Sequence, residues 1–245
     1  MMKFSLALLV SILFFTSCKK ENEILSPITV NDYYPLEIGK YINYNLDSTL
    51  FVTFGTVRKV ISYLAQDRVS DSITDNLGRK SFRINRYIRN DASMPWVYNT
   101  TFLATNTGGT IELVENNLRF VKLAFPLSQD FTWKGNTFIN TTSLEPDIRY
   151  LDNWDYTYDS VNVPLMLNGV NIDSTLKVME RDDFTGQDPG IPGTLYAEKN
   201  YSVEKYGKGI GLIYRDFIHW VYQGKENGNG YYEGYGVTMT ITGHN

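Results

Sequence analysis

The feature that most constrains this fold is a two-residue alternation of apolar and polar side chains, which begins near Tyr33. In the segment 40–47, Ile42, Tyr44 and Leu46 fall on one face, and the polar residues between them fall on the other. This period is typical of a β-strand with one buried face. The same pattern recurs along the chain, so the sequence predicts a sheet rather than a helical bundle.

Turn signals separate these segments. They are Asp75–Gly78, Thr107–Gly109, Asn116–Asn117 and Asn168–Gly169. The last of them, an Asn-Gly pair between two alternating segments, is the strongest hairpin signal in the chain. We therefore predict an all-β, mainly antiparallel fold, a single curved sheet or half-barrel of roughly ten to twelve strands. A short helix before Tyr201 is the one helical candidate in the mature chain.

Composition excludes several classes of protein. The 245 residues are 42% apolar, enough for a core, and carry a net charge of −4. A nucleic-acid-binding protein is usually strongly basic, so we expect no nucleic-acid partner. The chain has 18 Tyr, 13 Phe and 4 Trp against one Cys and two His. The chain therefore has few residues for thiol, zinc or histidine chemistry. Its many aromatic residues instead favour a concave face lined with rings.

The N-terminus has the pattern of a signal peptide. Lys3 is followed by an apolar stretch, Phe4–Phe15, which is too short to span a bilayer of about 30 Å. The residues that follow, Thr16-Ser17-Cys18, resemble a bacterial lipobox, although Phe15 and Ser17 replace the more common Leu and Ala or Gly. This resemblance implies that Cys18 carries a diacylglycerol and becomes the first mature residue. The alternative is a secretory peptide with a bystander cysteine.

These features predict three regions. Residues 1–17 form a lipoprotein signal peptide, 18–31 a lipidated Cys and flexible tether, and 32–245 a single β-rich domain. We expect a protein of the cell envelope, anchored to the outer membrane through its N-terminal lipid. The run Lys19–Glu23 resembles the export signals of Bacteroidota surface lipoproteins and equally fits an ordinary linker. Periplasmic and cell-surface orientations both stay open.

Four further segments carry a family resemblance. They are Tyr33–Tyr44, Leu118–Pro126, Trp133–Asn136 and Gly207–Tyr214. The first resembles the Tyr-Tyr/Phe-Pro-Leu…Gly opening of Bacteroidota outer-membrane lipoproteins of unknown function, and the last resembles their Gly-x-Gly-Leu-Ile/Val strand near the C-terminus. The resemblance implies an antiparallel half-barrel around a groove, loosely like lipoprotein-carrier folds. It implies no activity and no catalytic residues.

Candidate catalytic groups are sparse. His219 and His244 supply half of a zinc site at most, and no Gly-x-Ser-x-Gly nucleophile motif exists. Gly207, Gly209 and Gly211 lack dinucleotide-binding spacing. We therefore predict no enzyme, no metal site and no cofactor.

A carboxylate-pair glycoside hydrolase is the weaker alternative. Its candidates are Asp152, Asp155, Asp159, Asp182 and Asp183. Aspartates at such positions more often cap loops and turns.

The leading hypothesis for function is a non-enzymatic binding module whose groove takes an apolar or amphipathic ligand or a protein partner. The second is a glycan-binding accessory protein that stacks sugars on exposed tryptophans. The candidate stacking residues are Trp96, Trp133, Trp154 and Trp220. The plainest alternative is that these rings only fill a large β core.

Four serines follow an aspartate in a pattern that resembles the short O-glycosylation motif of exported Bacteroidota proteins. They are Ser48, Ser72, Ser160 and Ser174. We take them as candidate modification sites.

Overall fold

The computed structural model describes residues 28–142, 146–225 and 230–245. The predicted signal peptide, the predicted lipidation site Cys18 and residues 19–27 of the predicted tether lie outside the described residues. The side chains of Pro146 and Asp147 are likewise not described.

Within the described ranges, twelve strands make one sheet. They are β1 (Tyr41–Val52), β2 (Val57–Thr74), β3 (Lys80–Arg89), β4 (Val97–Asn106), β5 (Thr110–Glu115), β6 (Leu118–Ala124), β7 (Thr132–Lys134), β8 (Asp155–Leu167), β9 (Val170–Gly186), β10 (Tyr196–Gly207), β11 (Gly211–Gln223) and β12 (Tyr231–His244). All of the pairings are antiparallel, so the predicted all-β fold is confirmed.

The strand order is β6-β5-β4-β3-β2-β1-β12-β11-β10-β9-β8-β7. Strands that pair in the sheet are also consecutive in the sequence, with the exception of β1 and β12, which pair with each other. The two ends of the domain therefore meet at the middle of the sheet. Its two edge strands, β6 and β7, are consecutive in the chain.

Curvature brings those two edges together into a nearly closed barrel. The Val121 N–H of β6 donates to Gly135 O at 2.7 Å, and the Trp133 indole donates back to Val121 O at 2.7 Å. The Tyr158 hydroxyl of β8 bonds both the N–H and the C=O of Ala124. These contacts give hydrogen-bond partners to backbone N–H and C=O groups of the edge strand β6, which could otherwise pair with a strand of another molecule.

The predicted Asn168-Gly169 hairpin is present between β8 and β9. Both residues have positive φ angles, +52° and +78°. Asn116 and Asn117 repeat this geometry between β5 and β6, at +51° and +62°. Two consecutive residues with positive φ match the type I′ turn that suits the twist of a hairpin.

A four-residue helix, α1 (Val30–Tyr33), lies at one end of the barrel. Asp32 accepts the Thr29 N–H at its start, and the Asp32 carbonyl accepts the N–H of Gly209 in the β10–β11 turn. Val30 is only 1% exposed. The packed domain therefore begins before the predicted boundary at residue 32, and Val30 belongs to the core rather than to a flexible tether.

One other local prediction needs correction, since the segment before Tyr201 is strand β10 rather than a helix. A 3₁₀ helix, Pro146–Leu151, precedes β8 and contacts His219 and Tyr235 at the barrel end opposite α1. No helix in the described part of the chain is long and apolar enough to cross a membrane.

Candidate functional site

The barrel interior contains a layer of ion-paired charges that the alternation alone does not suggest. Seven side chains form this charged layer, within the part of the chain that the structure describes. They are Asp67, Arg86, Glu115, Lys122, Glu180, Glu204 and Arg215. They come from β2, β3, β5, β6, β9, β10 and β11, so the layer spans the whole barrel.

Lys122 lies near the middle of the charged layer. Its Nζ donates to Glu180 Oε1 at 2.7 Å and to Glu204 Oε1 at 2.9 Å, and its side chain is 3% exposed. The rings of Phe120 and Tyr156 lie 5.3 and 5.7 Å from Nζ. Although burial favours the neutral amine, the two glutamates hold the pKa of Lys122 above its usual value.

Arg215 continues the network. Its Nε donates to Glu204 Oε1 at 2.8 Å, and its Nη2 donates to Glu115 Oε2 at 3.0 Å. Arg86 and Asp67 form a separate bidentate pair, with both contacts at 2.7 Å. Buried charges of this kind are tolerated because each has partners of opposite sign.

The charged layer has four carboxylates and three cations. Burial, and then repulsion from Glu204, raises the pKa of Glu180 to about 7. Burial also disfavours the charged form of Glu204, but Lys122 and Arg215 outweigh it and lower the pKa of Glu204 to about 2. Glu180 is therefore the carboxylate of the charged layer that gains a proton first as the pH falls.

A cavity of about 180 Å³ lies on one side of the charged layer. Six rings line this aromatic cavity: Phe120, Tyr150, Trp154, Tyr156, Phe217 and Tyr235. Its floor is Glu180, Lys122, Arg215 and Ser202, whose hydroxyl donates to Glu180 Oε2 at 2.6 Å. The cavity thus combines apolar walls with a polar floor, as ligand-binding sites commonly do.

A smaller cavity of about 60 Å³ lies on the α1 side of the layer. Tyr34, Leu36 and Val69 are among its walls, and Glu115, Lys122 and Arg215 border both cavities. The charged layer therefore divides the barrel interior into two compartments.

The 3₁₀ helix covers the aromatic cavity. Its Tyr150 ring stacks on His219 at 3.8 Å with an interplanar angle of 9°, and its hydroxyl lies 3.1 Å from that of Tyr235. Tyr235 is 42% exposed and marks where the cavity reaches solvent. His219 Nδ1 lies 2.7 Å from Asn200 Oδ1, and burial lowers the pKa of His219. His219 is therefore neutral at pH 7 and forms part of the cavity cover.

The structure does not bring the four candidate stacking tryptophans together. Trp154 is 2% exposed, so it presents no surface ring and instead lines the aromatic cavity. Trp133 packs against Tyr158 at the barrel seam. Trp96 is covered by the Arg89 guanidinium at 4.2 Å, and Trp220 lies in another group of rings with Phe184 and Tyr232. The four rings therefore form no shared stacking surface, because each packs in a different local environment.

The aspartates proposed for a hydrolase are bonded to separate partners. Asp155 pairs with Lys134, Asp159 with Lys177, Asp182 with Lys199, and Asp183 with Arg181. Asp152 accepts the Thr141 hydroxyl. All four ion pairs are partly exposed, so they are solvated contacts rather than a carboxylate pair held in a cleft.

The four candidate O-glycosylation serines lie within strands and are half-buried. Ser174 donates to Asn162 Oδ1 at 2.6 Å and accepts the Tyr33 hydroxyl at 2.6 Å, so it helps to hold α1. A glycan on Ser174 would disrupt both bonds. Ser48, Ser72 and Ser160 stay predictions.

Sequence reasoning missed the charged layer, although the signal was present. In β9, Leu176, Val178 and Glu180 occupy the same face, so an acidic residue continues a buried apolar series. In β6, Lys122 likewise shares a face with Phe120 and Ala124. A charged residue on the strand face that otherwise carries apolar residues is the pattern that would have indicated the charged layer. No cluster of metal-ligating side chains occurs among the residues described.

Comparisons with known proteins give little beyond the fold. No family model and no curated protein matches the chain. Among solved structures, it is similar to a Bacteroides fragilis protein with a YmcC-like fold that is inferred to be exported. The two are 12% identical with a TM-score of 0.38, over 86% of this chain and 99% of that one. At this distance the similarity carries no argument about function.

Proposed function

We propose that this protein is an envelope lipoprotein whose barrel binds a small amphipathic ligand in the aromatic cavity. The observation that carries the proposal is the cavity itself: six aromatic rings above a floor of charged and hydroxyl groups. Such a site favours a ligand with an apolar body and one polar group.

Volume limits the size of that ligand. An apolar cavity of about 150 Å³ in another protein holds a benzene molecule. The aromatic cavity, at about 180 Å³, therefore accommodates a ligand of about one ring or a short branched chain. A larger molecule would require the 3₁₀ helix to move away from His219.

The position of α1 supports an orientation for the anchored protein. The tether enters the domain at Thr29 and α1, the end opposite Tyr150 and Tyr235. With Cys18 in the membrane, the chain reaches the domain at the α1 end, and the aromatic cavity opens at the other end. The predicted membership in the Bacteroidota lipoprotein family is part of the same proposal and rests on the sequence resemblances alone.

The ligand-binding proposal can be tested with benzyl alcohol, a one-ring amphipathic probe, by isothermal titration of the full chain. We expect saturable binding to the wild-type protein. Val237 lines the aromatic cavity, so Val237→Phe should fill it and abolish binding. Val60→Phe, at a half-exposed site, is the matched control and should bind normally. Equal binding by V237F, or none by the wild type, would refute the proposal.

A further inference from the structure

We propose that the ligand of the aromatic cavity is a small organic cation, held between its rings and the carboxylate of Glu180. This inference rests on the proposed function and specifies the class of ligand. It predicts that a quaternary ammonium group binds with its charge above the floor of the cavity and its methyl groups against the rings.

The first support is the charge of the interior. The charged layer, as described, has four carboxylates against three cations, and Glu180 has Lys122 as its ion-pair partner, which it shares with Glu204. Each of the cations Arg86, Lys122 and Arg215 has a raised pKa in spite of its burial. When Glu180 is ionised, the layer carries one excess negative charge, which one further cation would balance.

The second support is the lining. Aromatic faces attract cations, most strongly where water is excluded, and groups of rings are used to recognise quaternary ammonium ligands. Lys122 already lies against Phe120 and Tyr156, so this wall stabilises a cation in the folded protein. Tyr150, Trp154 and the remaining rings extend the same environment through the rest of the cavity.

The third support is the hydrogen bonding of Glu180. Its Oε1 accepts from Lys122 and its Oε2 accepts from Ser202. A quaternary ammonium ion has no N–H groups, so it can approach the charge of this carboxylate without displacing either donor.

Binding should depend on the ionisation of Glu180. The groups that face Glu180 are Lys122 of β6, Tyr156 of β8, Ser202 and Glu204 of β10, and Arg215 of β11. Because its pKa is about 7, Glu180 gains a proton as the solution becomes mildly acidic. The cation would then lose its counter-charge, so its affinity should fall as pH decreases.

The test compares choline with 3,3-dimethylbutan-1-ol, an uncharged molecule of the same shape, by isothermal titration of the full chain. We expect choline to bind about tenfold more tightly near pH 8, with an affinity at least about fivefold lower near pH 5.5. The binding of the neutral alcohol should not change with pH. This comparison uses the wild-type protein, so it does not depend on the folding of any variant.

Glu180→Gln should lower choline affinity about tenfold and leave binding of the alcohol unchanged. Glu112→Gln is the control, since Glu112 is a buried carboxylate bonded to Arg79 and Arg119 outside the cavity. If the alcohol binds as tightly as choline, or benzyl alcohol binds and choline does not, the cation proposal is refuted while the proposed function stands. If none of the three probes binds, both proposals fail.

Discussion

The hydroxyl of Tyr158 accepts a hydrogen bond from Ala124 N at 3.0 Å and donates one to Ala124 O at 2.8 Å. One side chain thus occupies both backbone groups of an edge-strand residue, as a paired strand would. The contact joins β8 to β6 and holds the barrel closed where the ladder of backbone hydrogen bonds ends.

Tyr158→Phe removes both of these hydrogen bonds and leaves the Ala124 backbone groups without a partner in a buried seam. We expect the free energy of unfolding to fall by about 2 kcal/mol, since an unsatisfied buried polar group is costly. Urea denaturation followed by tryptophan fluorescence measures the change. Tyr98→Phe, at a tyrosine that is more than half exposed, is the control and should change stability by less than about 0.5 kcal/mol.

Lys122→Met tests the importance of the charged layer. The variant leaves Glu180 and Glu204 without their shared cation, and breaking a buried ion pair typically destabilises a protein by about 3–5 kcal/mol. Lys134→Met breaks the exposed pair with Asp155 and should reduce stability by about 1 kcal/mol at most. Comparable losses for the two variants would contradict the assignment of the layer as buried.

The stability of the protein should also report the raised pKa of Glu180. The folded state binds a proton more tightly than the unfolded state, so between about pH 4.5 and 7 the contribution of Glu180 to the free energy of unfolding decreases as pH rises. Glu180→Gln lacks this titration, and its stability relative to wild type should therefore increase across that window and then level off. Chemical denaturation at a series of pH values measures the difference.

Glu115→Gln provides a contrast of opposite sign. Burial disfavours the Glu115 carboxylate, but Arg215 and other cations outweigh it and lower the pKa of Glu115. The free energy of unfolding of the wild type should therefore exceed that of E115Q near neutral pH, and this difference should decrease as the pH falls below about 4.5. If E180Q and E115Q respond to pH in the same direction, the assigned pKa shifts are wrong.

The proposed lipid anchor leads to a prediction in cells. The full chain should fractionate with membranes, and intact-mass measurement should show loss of residues 1–17 and added acyl chains at Cys18. Cys18→Ser should abolish the added mass and release the protein from the membrane fraction. A membrane-bound C18S protein, or wild type without lipid mass, would contradict the anchor.

Strand positions were largely predictable because alternation and turn chemistry are local. The Asn168-Gly169 hairpin, for example, appears in the structure between β8 and β9. Strand β10 was harder to recognise. Its inward face carries Ser202, Glu204 and Tyr206, so polar side chains stand where apolar ones are expected.

The candidate site was less predictable, because it depends on contacts between residues far apart in sequence. Glu180 and Lys122 are 58 residues apart, and Arg215 and Glu115 are 100 apart. Their pairing follows from how the sheet closes, which alternation does not specify. The aromatic excess did suggest a ring-lined concave face. The four tryptophans alone could not locate it, because most of the rings around the cavity are tyrosine and phenylalanine.

The most direct test of the central claim is to locate a bound probe by nuclear Overhauser effects between benzyl alcohol and the full chain. We expect contacts from the ring of the probe to Phe217 and Val237, inside the aromatic cavity. Contacts only to surface residues such as Phe54, which is 96% exposed, or no contacts at a saturating concentration, would contradict it.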